Sequence, residues 1–298
     1  MSSTAPDPFA AFSDALEAHA RAAAPTVAGL DWGHHHTLSG ILWTDDALVT
    51  SEQSLPDAET YTAILPDGAR VPATLAGRDP ATNVAVLKLQ AGAPTREVAE
   101  AGGVGSLVLA LGSDGMGGTT ARLGPVEVRG PAWQSQRGGR IDALIRIGVR
   151  LGPAAEGGPV IDARGRLIGM STFGPRRGVL VIPAATIGRI ATALLQDGRV
   201  ARGWLGIGLH PVALPKELSE RTATASGLMV VSVAEDSPAA TTLLPGDILI
   251  EAAGQKLANP RALAGALGPE TIGTALPLTL LRGGQTMQRD VTVAARPA

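Results

Sequence analysis

The sequence predicts a mainly β protein of two domains opened by a short helix, and three observations carry that prediction. At 298 residues, 45% of them hydrophobic and only 3% aromatic, the chain can bury a substantial core and exceeds the usual size of one domain. Its 38 glycines and 22 prolines interrupt regular elements and mark turns, which argues against a helical bundle. From Thr26 to about Pro183, brief runs of β-branched and other apolar residues alternate with Gly, Pro and Asp, a spacing that suits an all-β barrel architecture.

The elements follow in order. Pro8 to Ala24 is rich in good helix formers and places Phe9, Phe12, Leu16 and Ala20 on one face, so a short amphipathic helix is expected there. Runs such as Tyr61 to Leu65 and Leu107 to Leu111 are the strands of the barrel region. Pro183 to Gln196 reads as a helix, with Ile187, Ile190, Ala191 and Leu194 at helical spacing and Gly198 stopping it. Arg199 to Arg202 is the expected linker. Beyond it, Leu228 to Val233 reads as a strand, Asn259 and Pro260 as the cap and first position of a helix through Leu267, and two runs flanking Gly283-Gly284 as a hairpin.

Composition narrows the function. A formal net charge of −2 offers no basic footprint for nucleic acid, and no apolar run approaches the roughly 18 residues of a membrane-spanning helix. Met1 to Pro8 shows neither a basic nor an apolar signal region, so a cytoplasmic location is expected, with an envelope or periplasmic location the alternative if the chain is a mature form. The absence of cysteine removes disulfides from the argument.

Several motifs, taken together, resemble the HtrA family of serine proteases, the DegP-like proteins. Ser39-Gly40-Ile41-Leu42-Trp43 and Ala47-Leu48-Val49-Thr50 lead to the place of the family histidine, where this chain has Ser51-Glu52-Gln53-Ser54. Gly77 to Lys88, with Asp79-Pro80-Ala81-Thr82-Asn83, resembles the segment bearing the family aspartate, and Leu151 to Val160 resembles the segment bearing the nucleophile. Val181-Ile182-Pro183 resembles the end of a family strand. Gly203-Trp204-Leu205-Gly206-Ile207, Ser237-Pro238-Ala239-Ala240 and Pro245-Gly246-Asp247-Ile248-Leu249-Ile250 resemble a PDZ domain of the HtrA class. The resemblance implies a trypsin-like double six-stranded β-barrel followed by a C-terminal PDZ domain, with divisions at 1–25 (helical segment), 26–196 (protease-like domain), 197–202 (linker) and 203–298 (PDZ).

On that alignment Gln53, Asn83 and Glu156 fall where the histidine, aspartate and serine of the triad would stand. Acyl transfer from a peptide needs a nucleophile, a base and a group orienting the base. Gln53 cannot accept a proton at neutral pH, Asn83 cannot stabilise an imidazolium, and Glu156 is a poor nucleophile toward amides. The resemblance assigns the oxyanion hole to the amides of Ala154 and Glu156, and the Glu156 carboxylate is expected to occupy that hole itself. The expectation is therefore a pseudoprotease with no enzyme activity through the inherited site. Gln53 and Asn83 are expected to satisfy one another by hydrogen bonds, and Glu52 to lie on the surface.

The PDZ-like half implies the positive function, capture of peptide or protein C-termini as a scaffold, adaptor or holdase. Such a domain adds a peptide strand to a sheet edge and holds its carboxylate in backbone amides. The resemblance assigns that loop to Trp204, Leu205, Gly206 and Ile207, with Leu263 and Leu267 as pocket walls or as core. The alternative is a hydrolase or metal-binding protein with remodelled chemistry at Glu156 or at His34-His35-His36. In a strand His34 and His36 share a face and would bring at most two ligands to a transition metal, with Glu52 or Glu156 as a third. No cofactor is otherwise expected. Phe9 and Phe12 raise the prospect of a homo-trimer, or of a mixed assembly with an active relative.

Overall fold

The computed structural model describes residues 7–31, 33, 37–58, 60–92, 96–175 and 178–297. The chain divides into two compact units, one of Met1–Arg137 with Ile141–Arg199, the other of Gly138–Arg140 with Val200–Ala298.

The first unit opens with α1 (Pro8–Ala23), whose cap Asp7 accepts a hydrogen bond from the Phe9 amide. Leu16, Ala20 and Ala23 pack toward Val27, Leu109, Leu111 and Ile161. Phe9 and Phe12 do not join them and are 78% and 42% exposed, so only the C-terminal half of the expected apolar face is used within the chain. Six strands then close a barrel: β1 (Val27–Asp31), β2 (Thr37–Thr44), β3 (Ala47–Ser51), β4 (Tyr61–Ile64), β5 (Arg70–Asp79) and β6 (Val84–Lys88), in the order β1-β2-β3-β6-β5-β4. Its interior is filled by Leu30, Leu38, Leu48, Tyr61 and Leu87.

The second barrel is built from β7 (Leu107–Ser113) and β8 (Thr119–Gly130) and, after the short strands β9 (Trp133–Gln134) and β10 (Arg140–Ile141), from β11 (Leu144–Ile147), β12 (Pro159–Asp162), β13 (Leu167–Phe173) and β14 (Val179–Pro183). Its order is β11-β14-β13-β12-β7-β8, and pairing of β11 with β8 closes it around Ile145, Ile147, Val160, Ile168 and Val181. Closure removes the open edges that such short strands would otherwise present. Helix α2 (Ala184–Asp197) buries the expected Ile187, Ile190, Ala191 and Leu194, and Gly198 ends it at φ 69°.

The second unit contains β15 (Gly203–Trp204), β16 (Ile207–Ala213), α3 (Lys216–Thr222), β17 (Ser226–Val233), β18 (Ile248–Ala252), β19 (Gln255–Lys256), α4 (Pro260–Gly265), β20 (Ala275–Arg282), β21 (Gln285–Thr292) and β22 (Ala294–Ala295). The main sheet runs β16-β17-β18-β20-β21, which leaves β16 at an edge. Pro211 sits on that strand, the position in a sheet where a residue without an amide proton is tolerated. Asn259 caps α4 by accepting from the Ala262 amide at 3.2 Å, but the helix stops at Gly265, two residues short of the expected end. The fold is thus mainly β, with two six-stranded barrels, a C-terminal unit built on one main sheet with two short α-helices, and a short N-terminal helix.

Candidate functional site

Three turns in the first unit bring Gln53, Asn83 and Glu156 together. The end of β3 passes into a 3-10 turn, Glu52–Ser54, which presents Gln53. In the turn between β5 and β6, Asp79 accepts from the Thr82 hydroxyl at 2.7 Å and its carbonyl accepts from the Thr82 amide at 3.2 Å. The turn leaves Asn83 at φ 59°, a left-handed conformation that asparagine tolerates better than most residues. Glu156 follows the 3-10 turn Pro153–Ala155 and precedes Gly157 at φ 86°. A Cβ on Gly157 would fall 2.2 Å from the Ser39 carbonyl oxygen, so this passage of backbone requires glycine. Ser39 pins the turn from the other side: its amide donates to the Glu156 carbonyl at 3.0 Å and its hydroxyl to the Ala154 carbonyl at 2.6 Å.

Glu156 is 2% exposed, and five donors meet its carboxylate. Oε1 accepts from the Ser51 hydroxyl at 2.9 Å, Gln53 Nε2 at 2.6 Å, the Thr172 hydroxyl at 2.8 Å and the Phe173 amide at 3.1 Å. Oε2 accepts from the Ser54 hydroxyl. Ser51, Gln53 and Ser54 lie on or just after β3 of the first barrel, while Thr172 and Phe173 end β13 of the second, so one side chain ties the two barrels together. A buried carboxylate is tolerable only when paired or hydrogen-bonded in this way.

Asn83 joins the same network. Its Oδ1 accepts from the Gln53 amide at 2.7 Å, and its Nδ2 donates to the Thr172 hydroxyl at 2.6 Å and to Ser51 Oγ at 3.1 Å. Gln53 and Asn83 therefore meet through a backbone amide and a shared threonine rather than side chain to side chain. The expected occupation of the oxyanion hole does not occur. The Glu156 amide donates to the Pro153 carbonyl at 3.3 Å, and its carboxylate faces Ser51, Ser54 and Thr172 instead. Ala154 sits within the 3-10 turn, and its carbonyl receives the Ser39 hydroxyl. Glu52 is not the surface residue expected. Its side chain is 12% exposed, 3.9 Å from Arg78 Nη1 and 4.0 Å from Arg137 Nη1.

Beside the network the cleft has a polar side, lined by Glu52, Asp57, Arg78 and Arg137, and an apolar side, lined by Trp133, Ile141, Phe173, Leu180 and Ile182. Sequence reasoning missed Ser51, Ser54 and Thr172. The legible signal was Ser171-Thr172, a polar pair inside an apolar strand. His34, His35 and His36 lie outside the described residues, and among the described residues no group of three or more His, Cys, Asp or Glu could hold a metal. Both oxygens of Glu156 and the carboxylate of Glu52, the two carboxylates considered as further ligands, already have partners.

In the second unit the expected loop residues divide. Leu205 and Leu263 are buried in the core, and Ile207 and Leu267 pack partly against it. Trp204 is half-buried on β15, paired with Ala294. Gly206, at φ 76°, turns the chain into edge strand β16, and α4 contacts that strand. Asp247 of the Pro-Gly-Asp turn braces the unit: both its oxygens accept from Arg282 at 2.8 Å, and Oδ2 accepts from the Leu244 amide at 2.8 Å. Burial works to raise the Asp247 carboxyl, but the hydrogen bonds from Arg282 and Leu244 and the charges of Arg282 and Arg289 outweigh it and hold it below the usual carboxylate range.

Comparison with known proteins agrees with this architecture. Residues 38–170 match the model of the trypsin-like peptidase domain and residues 203–293 that of the PDZ domain. A probable periplasmic serine endoprotease, DegP-like, of Brucella suis biovar 1 (strain 1330) is 34% identical over 275 residues, covering 87% of this chain and 52% of the relative. The corresponding protein of Rhizobium meliloti (strain 1021) is 30% identical over 273 residues, covering 87% and 53%. The chain thus spans about half the length of the curated relatives it matches. Among solved structures, the HtrA-type protease AlgW with a decapeptide superposes with a TM-score of 0.73 at 25% identity, covering 96% of this chain and 99% of that one. The AlgW structure with a tripeptide gives 0.71 at 28%, covering 96% and 98%. The chain is similar to HtrA-type proteases and carries a trypsin-like peptidase domain followed by a PDZ domain.

Two expectations are corrected here. That the chain is not an enzyme is overturned by its likeness, over most of its length, to proteins named serine endoproteases, which points to a protease. That it is cytoplasmic is overturned by the same relatives, which are named periplasmic.

Proposed function

We propose that this HtrA-like chain works on polypeptides in the periplasm, the compartment named for its relatives, by capturing peptide or protein C-termini on its PDZ domain. The observation that carries this is edge strand β16, which has one neighbour in the sheet and is entered through the glycine turn Leu205-Gly206-Ile207, with α4 against it. An edge strand beside a helix offers main-chain pairing to an incoming strand, and a turn of backbone amides at its start offers donors to its carboxylate. The AlgW structures that this chain resembles contain a decapeptide and a tripeptide, which supports a peptide ligand. Capture alone suffices for an adaptor or holdase role. Calorimetry of the full chain with a library of C-terminal peptides, each with a free or an amidated carboxyl end, tests the reading: binding of the free forms is expected, and equal binding of both forms, or none, counts against it.

In the barrel cleft, the network around Glu156 favours a second statement. Gln53, Asn83 and Glu156 stand where the histidine, aspartate and serine of the relay would be, so any hydrolysis by this chain does not run through a serine–histidine–aspartate relay in this cleft. Cleavage of an unfolded protein substrate by the purified chain, with and without a serine-directed phosphonate and a chelator, checks this. Phosphonate-sensitive cleavage would contradict it.

A further inference from the structure

Ser237 carries a hydroxyl that the PDZ unit buries without giving it a hydrogen-bond partner. The residue is 9% exposed. Among the described residues two other buried side-chain atoms share that condition, Arg78 Nε and Arg96 Nε, but the remaining nitrogens of both guanidiniums are engaged. Arg78 donates to the Leu55 and Pro56 carbonyls, Arg96 to those of Leu42 and Trp43. Ser237 has one polar side-chain atom, and that atom is the orphan. Native proteins rarely leave such a group unsatisfied, because its desolvation is not offset.

Its position gives the vacancy a meaning. A Cβ built on Gly206 would fall 2.0 Å from Ser237 Cβ and 2.7 Å from Ser237 Oγ, so the hydroxyl lies directly against the glycine of the turn that enters β16. The segment bearing Ser237 is also stitched to that turn: the Ala234 amide donates to the Gly206 carbonyl at 2.8 Å and the Ala239 amide to the Leu205 carbonyl at 3.2 Å. The backbone of Ser237 is fixed, its amide donating to Ala234 at 3.1 Å and its carbonyl accepting from Ala240 at 3.0 Å. Only χ1 remains free to redirect the hydroxyl. Alanine would fill the same space without a buried polar atom, so packing gives no reason for a hydroxyl here.

We infer that Ser237 is a ligand-binding residue of the PDZ site, whose hydroxyl donates to the terminal carboxylate of a captured peptide. Backbone amides of the turn hold the carboxylate, and rotation of Ser237 about χ1 gives the orphaned hydroxyl a charged acceptor. The ligand supplies what the free protein lacks. Ser237 thereby contributes to discrimination between a free C-terminus and an internal or amidated segment, since only the former brings the negative oxygen. This inference rests on the capture of C-termini proposed above.

The test is calorimetry of the full chain and of its Ser237→Ala and Ser237→Cys variants, with one peptide in free-carboxylate and amidated forms and with the melting temperature of each variant recorded. Cysteine keeps the approximate volume but is a weak donor. The expected result is about a tenfold loss of affinity for the free-carboxylate peptide in both variants, the loss of one charge-assisted hydrogen bond. Weak binding of the amidated peptide should be unchanged, and the melting temperature should not fall in Ser237→Ala. Full affinity in Ser237→Ala, an equal loss for both peptide forms, or full affinity in Ser237→Cys alone would overturn the inference while leaving C-terminal capture in place. Failure of the unsubstituted protein to bind any free-carboxylate peptide would overturn both.

Discussion

Replacing Glu156 with alanine removes the carboxylate on which the two barrels converge, and the structure allows the cost to be apportioned. Of its five donors, Gln53 keeps the Thr172 hydroxyl at 2.9 Å and the Phe173 carbonyl at 3.0 Å as acceptors. Ser54 and the Phe173 amide are only partly buried, so water can replace the lost acceptor there. The Ser51 and Thr172 hydroxyls are left inside, Ser51 with a long alternative to Asn83 Oδ1 at 3.3 Å. Two buried donors losing a charged acceptor cost roughly 2–4 kcal/mol. The desolvation of the carboxylate itself works the other way and is recovered in the variant. For a unit of this size the gross figure corresponds to a fall in melting temperature of about 5–15 °C, and the recovered desolvation makes the net fall smaller than that. Glu156→Gln retains one acceptor oxygen and should lose less. Differential scanning calorimetry reads both. A Glu156→Ala variant as stable as the parent, or more so, would show that Glu156 does not fasten the barrels and would leave its burial without a structural purpose.

Other outcomes follow from the same contacts. Because the Asp247 carboxyl is held below its usual range, the stability it contributes is fully present above the unfolded value of about 4 and is lost as pH falls through the folded value; Asp247→Asn should flatten the acid limb of PDZ unfolding, and an unchanged acid limb would count against the Arg282 pairing. Gly206→Ala places a Cβ 2.0 Å from Ser237 Cβ at a positive φ, so it should destabilise the PDZ unit by more than about 1 kcal/mol and abolish peptide binding, both visible by calorimetry. If the exposed Phe9 and Phe12 mediate self-association, light scattering should give a trimer mass for the parent chain and a monomer mass for Phe9→Ser with Phe12→Ser; a monomeric parent dismisses the trimer.

Much of this architecture was legible in the sequence because its turns depend on residues with special backbones. Gly198 and Gly283 stand at positive φ where glycine was read as a stop or a turn, and Asn259 caps the helix that follows it. Helix α3 was not foreseen: Lys216–Thr222 is too short and too polar to show a periodic apolar face, and buries no residue. The meeting of Gln53, Asn83 and Glu156 followed from resemblance to known motifs, but the direction of the Glu156 side chain did not. That direction is set by Ser51, Ser54 and Thr172, which come from two barrels and carry no local pattern linking them. The orphaned Ser237 hydroxyl was equally invisible, since its meaning depends on Gly206, distant in sequence.

Hydrogen exchange on the full chain, with and without a C-terminal peptide bearing a free carboxylate, tests the central claim most directly. The account predicts protection confined to the turn at 204–207 and strand β16, with the cleft around Gln53, Asn83, Glu156 and Thr172 unchanged. Protection of the cleft with none on β16 would contradict it and move the site of capture into the barrels.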